Sequence, residues 1–200
     1  MPDTGAPWNI PYVQSSDLVS DWPADSLALA NAIDSGLDAA GGLVAVKHAL
    51  FTGTQTGSRG AGANLSVTDL SITHTLADSS NKLIISAYLG VVASSRGNAN
   101  VGIAVADGAT LIGVGAAAGS RSIVAAGGWA SASGTTRMTD SRSVTFVYEP
   151  GDTASHTYTV RAINIDASTQ TIYVNRSQGD ANDASYSRGS SGFVIQEVQV

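Results

Sequence analysis

From Leu43 to the C-terminus, apolar side chains recur at every second position in one short segment after another. The clearest segment runs from Leu83 to Val91, where every odd-numbered residue is apolar. This period puts the apolar side chains on one face of an extended strand, which buries that face. Nine or ten such segments, separated by turns rich in Gly, Asn, Asp and Ser, predict a mainly β protein built as an antiparallel, jelly-roll-like β-sandwich.

Two stretches within the β region carry further information. The dipeptide at Asp107 and Gly108 predicts a tight hairpin, because Asp-Gly accepts the positive φ that such turns need. Residues 113–134 are rich in Gly and Ala and poor in large side chains, so backbones can approach one another closely there. An edge strand, a contact between subunits and a mobile loop all fit that stretch, and the residues alone leave the three open.

The first 42 residues differ from the rest in charge. The chain has sixteen acidic and ten basic side chains, and the first 42 residues hold six of the acids and none of the bases. The other residues therefore carry ten acidic and ten basic side chains, and the formal net charge of −6 lies in the leading segment. We expect three parts: an extended anchoring arm over residues 1–23, a connecting helix over 24–42 and a β-sandwich display domain over 43–200.

The arm contains Pro2, Pro7 and Pro11, which favour extended backbone and disfavour helix. Large apolar side chains lie between these prolines and need a surface to bury against. A terminus that is disordered or packs on itself is one interpretation, and an extended peptide that docks on a partner is the other. In the second interpretation, the anchoring side chains are Trp8, Ile10, Tyr12 and Val13.

The predicted helix has Pro23 in its first turn and ends at two glycines, Gly41 and Gly42. Its apolar stripe, at helical spacing, consists of Leu27, Ala30, Ile33 and Leu37. A helix this short is marginal on its own, so the stripe must pack against another surface. That surface is the chain's own β domain, a short helical bundle about a symmetry axis, or a different protein.

Composition excludes several classes of function. A chain without cysteine forms no disulfide and no thiolate metal site. Its few Lys and Arg residues form no basic stripe, which argues against a nucleic-acid partner. No apolar run approaches the roughly 20 residues that span a bilayer, and the N-terminus lacks the pattern of a signal peptide. We expect no cofactor, no metal, no nucleic acid and no membrane partner.

We also expect no enzymatic activity. His48, His74 and His156 lie far apart, and no nucleophile and base occur in a recognisable pattern. His74 alternates with apolar residues, which is typical of an interior or interface histidine. Oxygen-bearing side chains cluster in a later segment without the spacing of a calcium loop, and we interpret them as a solvated polar loop; they are Asp180, Asn182 and Asp183.

A smaller set of residues is suited to surface contacts. Aromatic faces stack on sugar rings, so the candidate glycan contacts are Trp129, Tyr173 and Tyr186, with core or interface packing as the plainer alternative. Two arginines within strand patterns, Arg161 and Arg176, are expected to pair with carboxylates across strands or subunits. The expected carboxylate partners are Asp166, Glu149 and Glu197.

Several segments resemble the C-terminal modules of tailed-bacteriophage fibre and spike proteins. They are LSITHTLADSSNKLIISAYLGVV, ATLIGVG, TYTVRAINIDASTQTIYVNRS and the ending SSGFVIQEVQV. The opening residues are similar to the start of phage structural proteins. The resemblance implies a trimeric jelly-roll-like head, broadly similar to the heads of C1q and tumour necrosis factor. The chain lacks the repeats of a long shaft, so the implied protein is a short fibre, a spike or a capsid-decoration protein.

The function implied by this resemblance is that of a non-enzymatic structural protein at the virion surface, assembled in the host cytoplasm. Its arm would attach to other virion proteins of the capsid or tail, and its sandwich would be displayed as a homotrimer. The alternative is a receptor-binding tail-fibre adhesin that recognises a host-surface glycan. Head and tail locations both remain open.

Overall fold

The computed structural model describes residues 26–33, 42–95, 100–129, 139–184 and 186–200. The chain divides into two units, one comprising Met1–Leu43 with Gln199–Val200 and the other comprising Val44–Val198. The first unit contains a helix, α1, over residues 26–33. The predicted helix extends to residue 42, and its positions 24–25 and 34–41 lie outside the described residues.

The β region contains eleven strands among the described residues. In chain order they are β1 (Leu43–Phe51), β2 (Gln55–Arg59), β3 (Asn64–Thr75), β4 (Lys82–Ser94), β5 (Asn100–Asp107), β6 (Thr110–Ile112), β7 (Ala126–Trp129), β8 (Asp140–Tyr148), β9 (Ser155–Asn164), β10 (Gln170–Val174) and β11 (Ser191–Val198).

The first sheet, sheet I, has six strands in the order β1-β11-β4-β10-β2, with β8 also paired to β4. Strands β11 and β8 both pair with residues 83–89 of β4, so they lie on opposite edges of that strand. Val92 pairs with Asp140 of β8 and with Val174 of β10, so β10 continues along the same edge as β11. The long strand β4 is therefore the centre of sheet I.

The second sheet, sheet II, has five strands in the order β3-β9-β5-β6, with β7 also paired to β5. Its pairings are antiparallel, and His74 of β3 lies directly opposite His156 of β9. The register between β3 and β9 shifts between Ser66 and Ser71, where Asp69 has a φ of 59°. That bulge bends a strand which would otherwise pair without interruption.

The two sheets pack face to face over a continuous apolar core. Sheet I contributes Leu83, Ile85 and Leu89 from β4, and sheet II contributes Tyr158 and Val160 from β9, each at most 1% exposed. Burying each such Leu or Ile side chain stabilises the fold by about 1.5–3 kcal/mol. The mainly β, antiparallel, jelly-roll-like sandwich predicted from the alternating pattern is confirmed.

The predicted hairpin at Asp107 and Gly108 is also present. Strands β5 and β6 pair from Asp107 opposite Thr110, which leaves a two-residue loop with Gly108 at a φ of 57°. The strands hardest to anticipate are the shortest, β6 with three residues and β7 with four. Strand β7 lies in the Gly/Ala-rich stretch, where small side chains give no alternating apolar signal.

Candidate functional site

The outer faces of the two sheets differ in chemistry. Sheet II presents hydroxyl side chains that bond to one another across β3 and β9: Ser71 Oγ lies 3.0 Å from Thr159 Oγ1, and Thr73 Oγ1 lies 3.0 Å from Thr157 Oγ1. A row of paired hydroxyls with exposed surroundings suits contact with water. Sheet I has no such row along β1.

Strand β1 exposes apolar side chains on its outer side. Phe51 and Ala49 face the core, so the alternate positions point away from it. Those outward positions include Val44, Val46 and Leu50, which are 42%, 51% and 57% exposed. Such a series of large apolar side chains, exposed on one strand, is typical of a surface that a partner covers.

The apolar surface continues across the middle of sheet I. Val147 of β8 is 59% exposed and lies opposite half-buried Ile84 of β4. Tyr88 of β4 is 42% exposed and lies opposite Gly192 of β11. A Cβ on Gly192 would collide with the Tyr88 ring, so this glycine allows the ring to lie flat across β11.

We call the set of outward apolar side chains on sheet I the apolar face; it consists of Val44, Val46, Leu50, Ile84, Tyr88, Val147, Val194 and Val198. In the sequence, this face is indicated by the β1 segment LVAVKHALF, which has apolar residues at both odd and even positions. A strand with one solvated face alternates cleanly, whereas a strand covered on both faces does not. Our sequence analysis did not use that distinction.

The predicted helix stripe is exposed in α1. Leu27 and Ile33 are 62% and 45% exposed, and Ala30 is also exposed. Leu37 lies outside the described residues. The described part of the predicted stripe is therefore exposed, whereas Leu29 on another side of the helix is half-buried. The predicted anchoring residues Trp8, Ile10, Tyr12 and Val13 all lie outside the described residues.

The three candidate glycan contacts come from different elements of the fold. The backbone of Trp129 pairs with Asn100 in sheet II, whereas Tyr173 belongs to β10 of sheet I. The Arg176 guanidinium lies 5.2 Å from the centre of the Tyr173 ring. Tyr186 lines a cavity of about 470 Å³ in the loop between β10 and β11. Tyr173 is therefore engaged by a cation of its own chain.

The polar loop around Asp180 is held by arginines. Arg188 donates to both Asp180 oxygens, at 3.0 and 2.7 Å, and Arg176 Nη1 lies 3.6 Å from the same carboxylate. The hydrogen bond from Arg188 is the main reason that the pKa of Asp180 lies below its usual value. A carboxylate shared by two guanidinium groups is a poor ligand for a cation, which agrees with our interpretation of a polar loop.

A buried polar cluster closes one end of the sandwich. Glu197 of β11 is 1% exposed, and its Oε1 accepts hydrogen bonds from the Ala77 amide at 2.8 Å and from Asn81 Nδ2 at 2.6 Å. Its Oε2 lies 2.8 Å from His74 Nε2. Burial raises the pKa of Glu197, but these three hydrogen bonds outweigh burial and hold it below its usual value. His74 is thus an interior histidine.

His156 is held between two carboxylates. Its Nδ1 lies 2.7 Å from Asp107 Oδ2 and its Nε2 lies 2.9 Å from Asp152 Oδ1. The hydrogen bond to Asp152, assisted by the one to Asp107, raises the pKa of His156 despite partial burial. With both ring nitrogens occupied, the imidazole has no nitrogen available for a nucleophile. The carboxylates lie on opposite sides of the ring, so they do not converge on one metal position.

Within the chain, Arg161 and Arg176 contact groups other than the expected carboxylates, and pairing across subunits stays a prediction. Arg161 donates to the Ser66 hydroxyl and, at 3.3 Å, to the Gly108 carbonyl. Arg176 approaches Asp180, four residues along the chain, as well as the carbonyls of Ser177 and Gln178. Arg161 lies directly opposite Ser66 in the register of β3 and β9, whereas Arg176 is engaged by the loop that follows β10.

Comparison with protein-family models and with curated proteins found no match for this sequence. Within the described residues, no helix is long and apolar enough to cross a membrane. The same residues contain no group of three or more His, Cys, Asp or Glu arranged to hold a metal ion. Among the described residues, the apolar face carries most of the exposed large apolar side chains.

Proposed function

We propose that this chain is a non-enzymatic structural protein of a tailed-phage virion, attached to the capsid or tail by residues 1–23 and displaying a homotrimeric β-sandwich. The observation that carries the proposal is the contrast between the two outer faces of the sandwich. Sheet II offers hydroxyls to water, whereas sheet I offers Val46, Leu50 and Val147, each more than half exposed. The resemblance to phage fibre modules supplies the virion setting.

Association of identical chains covers the apolar face at little cost. At the centre of this face, Ser86 Oγ and Thr145 Oγ1 bond to each other at 3.0 Å, as hydroxyls also do on sheet II, so the two faces differ in their exposed apolar side chains. The nearest charges, Lys82 and Glu149, form an exposed ion pair at 2.9 Å. Hydroxyls and charges that are already paired lose less on desolvation than unpaired ones. These features favour a protein partner over permanent contact with solvent.

The exposed stripe of α1 supports the same arrangement. Leu27 and Ile33 are both exposed on a helix too short to be stable alone. Packing three such helices about a common axis would bury these side chains and explain their exposure in a single chain. These side chains belong to a different unit of the chain from the apolar face, so their exposure is a second observation in favour of association.

Assembly of the purified full chain tests the proposal. Light scattering coupled to size-exclusion chromatography should give about 61 kDa, three times the chain mass of 20.2 kDa. Val46→Glu should reduce the mass to that of one chain, because an unpaired charge within an apolar interface costs several kcal/mol. Circular dichroism would verify that the variant remains folded.

The matched control is Thr157→Glu, which adds the same charge to the exposed face of sheet II. It should leave the mass of the assembly unchanged. A full chain that elutes as one subunit would contradict the trimer, and so would equal dissociation by both substitutions.

Attachment through the arm is tested on virions. Deleting residues 1–23 should remove the protein from purified particles, because the deleted segment contains Trp8, Ile10, Tyr12 and Val13, the proposed anchoring side chains. Quantitative immunoblotting of particles purified on a density gradient measures the occupancy. Replacing only Trp8 and Tyr12 with alanine should lower occupancy at least tenfold, at about 1.4 kcal/mol per tenfold change.

Asp3→Asn with Asp17→Asn is the control for charge in the arm and should keep occupancy near that of the natural chain. Normal incorporation of the shortened chain would overturn the anchoring role. The alternative function, an adhesin, assigns glycan contacts to Trp129, Tyr173 and Tyr186. Because Tyr173 is engaged by Arg176 and Trp129 belongs to the other sheet, the geometry favours the structural role over an adhesin built on these three residues.

A further inference from the structure

A cavity of about 710 Å³ lies at one end of the sandwich, away from every residue of the apolar face. Three segments form its walls: the loop between β2 and β3, the chain after β6 and the loop between β9 and β10. The volume falls in the range of roughly 300–1,000 Å³ that is typical of small-molecule sites. The proposed virion role does not involve this cavity.

Two of the three wall segments, the β2–β3 and β9–β10 loops, are tied together by one buried side chain, Asn164. Its Nδ2 donates to the carbonyls of Arg59 and Gly60, each at 2.9 Å, and of Ser168 at 2.8 Å. The Oδ1 atom of Asn164 accepts from the Asp166 amide at 2.8 Å, and the main-chain carbonyl of Asn164 accepts from the Gly62 amide at 2.9 Å. Asn164 is fully buried, so two loops that face the cavity are tied to one amide group. Such walls need little ordering when a ligand binds.

Part of the cavity lining is apolar, from Ile123, Ile165 and Leu111. Ile165 reaches its position because Gly127 of β7 lacks a side chain: a Cβ there would lie 2.8 Å from Ile165 Cδ1. The Gly/Ala-rich stretch thus contributes to the cavity by leaving room for a large side chain from the loop between β9 and β10. A surface of this kind suits the C–H groups of a ring compound.

Several polar side chains line the cavity. Arg121 lines it, and the guanidinium has no hydrogen-bond or ion-pair partner among the residues that the structure describes. The other Lys and Arg residues in the described ranges each donate to an oxygen; they are Lys47, Arg59, Lys82, Arg142, Arg161, Arg176 and Arg188. Ser120, Ser122 and Asp166 also line the cavity, and Asp166 Oδ1 accepts only a local amide, that of Ser168 at 2.9 Å.

We propose that this cavity binds a sugar acid, a ring compound with several hydroxyls and one carboxylate. The carboxylate binds the Arg121 guanidinium, because an unpaired arginine at a concave site is suited to a planar anion. The hydroxyls bond to Asp166, Ser120 and Ser122, and one C–H face of the ring packs on Ile123 and Ile165. The inference goes beyond the virion role, since the cavity shares no residue with the apolar face.

Three compounds of similar size separate the contribution of the carboxylate to binding from that of the hydroxyls. Methyl glucuronoside carries both hydroxyls and a carboxylate, methyl glucoside lacks the carboxylate, and cyclohexanecarboxylate lacks the hydroxyls. Each is titrated into the isotope-labelled full chain while amide chemical shifts are followed by NMR. Methyl glucuronoside should bind at least tenfold more tightly than either of the others. The shift changes should centre on Gly62, Ser122 and Asp166.

Arg121→Met should weaken binding of methyl glucuronoside about tenfold or more and leave the weak binding of methyl glucoside unchanged. Arg188→Met removes the same charge outside this cavity and should leave both affinities unaltered. Equal affinity for methyl glucoside or cyclohexanecarboxylate overturns the proposal, and so do shift changes confined to other residues or the absence of binding. These results concern the cavity alone, because the assembly state is measured separately by light scattering.

Discussion

Replacing Asn175 with alanine should lower the free energy of unfolding by about 3–5 kcal/mol. This fully buried side chain donates to the carbonyls of Phe51 at 2.8 Å and Gly53 at 2.9 Å, and it accepts from Ser191 Oγ at 2.6 Å. Alanine leaves these groups without partners in the interior. The backbone has a φ of 60°, which alanine adopts less readily than asparagine.

Urea denaturation followed by fluorescence measures the loss. The loss in Asn175→Ala has two causes, the missing hydrogen bonds and the positive φ, and Asn175→Gly separates them. Because glycine accepts the positive φ, this variant should lose about 1 kcal/mol less stability, and its loss should reflect mainly the missing hydrogen bonds. Asn182→Ala, at an exposed position of the same loop, should change stability by less than about 0.5 kcal/mol. If Asn175→Ala were no more costly than Asn182→Ala, Asn175 would not be the link between β1 and β11 that its contacts indicate.

Replacing Glu197 with alanine should cost about 3–5 kcal/mol at neutral pH, because it leaves His74, Asn81 and the Ala77 amide without their shared acceptor. Chemical denaturation at pH 7 measures this cost. Glu149→Ala removes a carboxylate that is 64% exposed and paired to Lys82, and it should cost no more than about 1 kcal/mol. Equal costs for the two variants would contradict a central role for the buried cluster.

The same cluster predicts a dependence of stability on acid. The pKa of Glu197 in the folded chain lies below its ordinary value of 4.5, so the unfolded chain takes up the proton first as pH falls. The stabilisation from ionised Glu197 is therefore fully present above pH 4.5 and is lost as pH falls through the folded pKa. Glu197→Gln should lose this acid-dependent part of stability, so the difference from the natural chain should shrink between neutral pH and pH values below the folded pKa.

The candidate interaction surface was only partly predictable. Alternation in LSITHT and KLIISAYLGVV indicates which side chains face the core of β3 and β4. Alternation does not indicate which of the two outer faces a partner covers, because scattered apolar residues are common on the outer faces of any sandwich. The contrast between Val46 and Leu50 on sheet I and the paired threonines of sheet II became visible only when the strands were assigned to sheets.

The sugar-acid cavity was not predictable from the sequence. Arg121 lies in a stretch where small residues gave no strand signal, and Asp166 belongs to a different loop. Asn164 fixes the β2–β3 and β9–β10 loops together, and the chain between β6 and β7 brings Arg121 to the same cavity. Hydrogen bonds from a single amide to distant carbonyls have no periodic pattern, so sequence reasoning has no signal from which to infer them.

The sequence by itself determined the elements with a local physical cause. Apolar alternation determined the long strands and the sandwich, and the glycine after Asp107 determined the tight β5–β6 turn. The tertiary structure decided which groups meet: Asn175 reaches Phe51 across 124 positions, and His74 reaches Glu197 across 123. Backbone geometry and burial act over neighbouring residues, whereas these hydrogen bonds depend on sheet order and register, which exist only after the whole chain has folded.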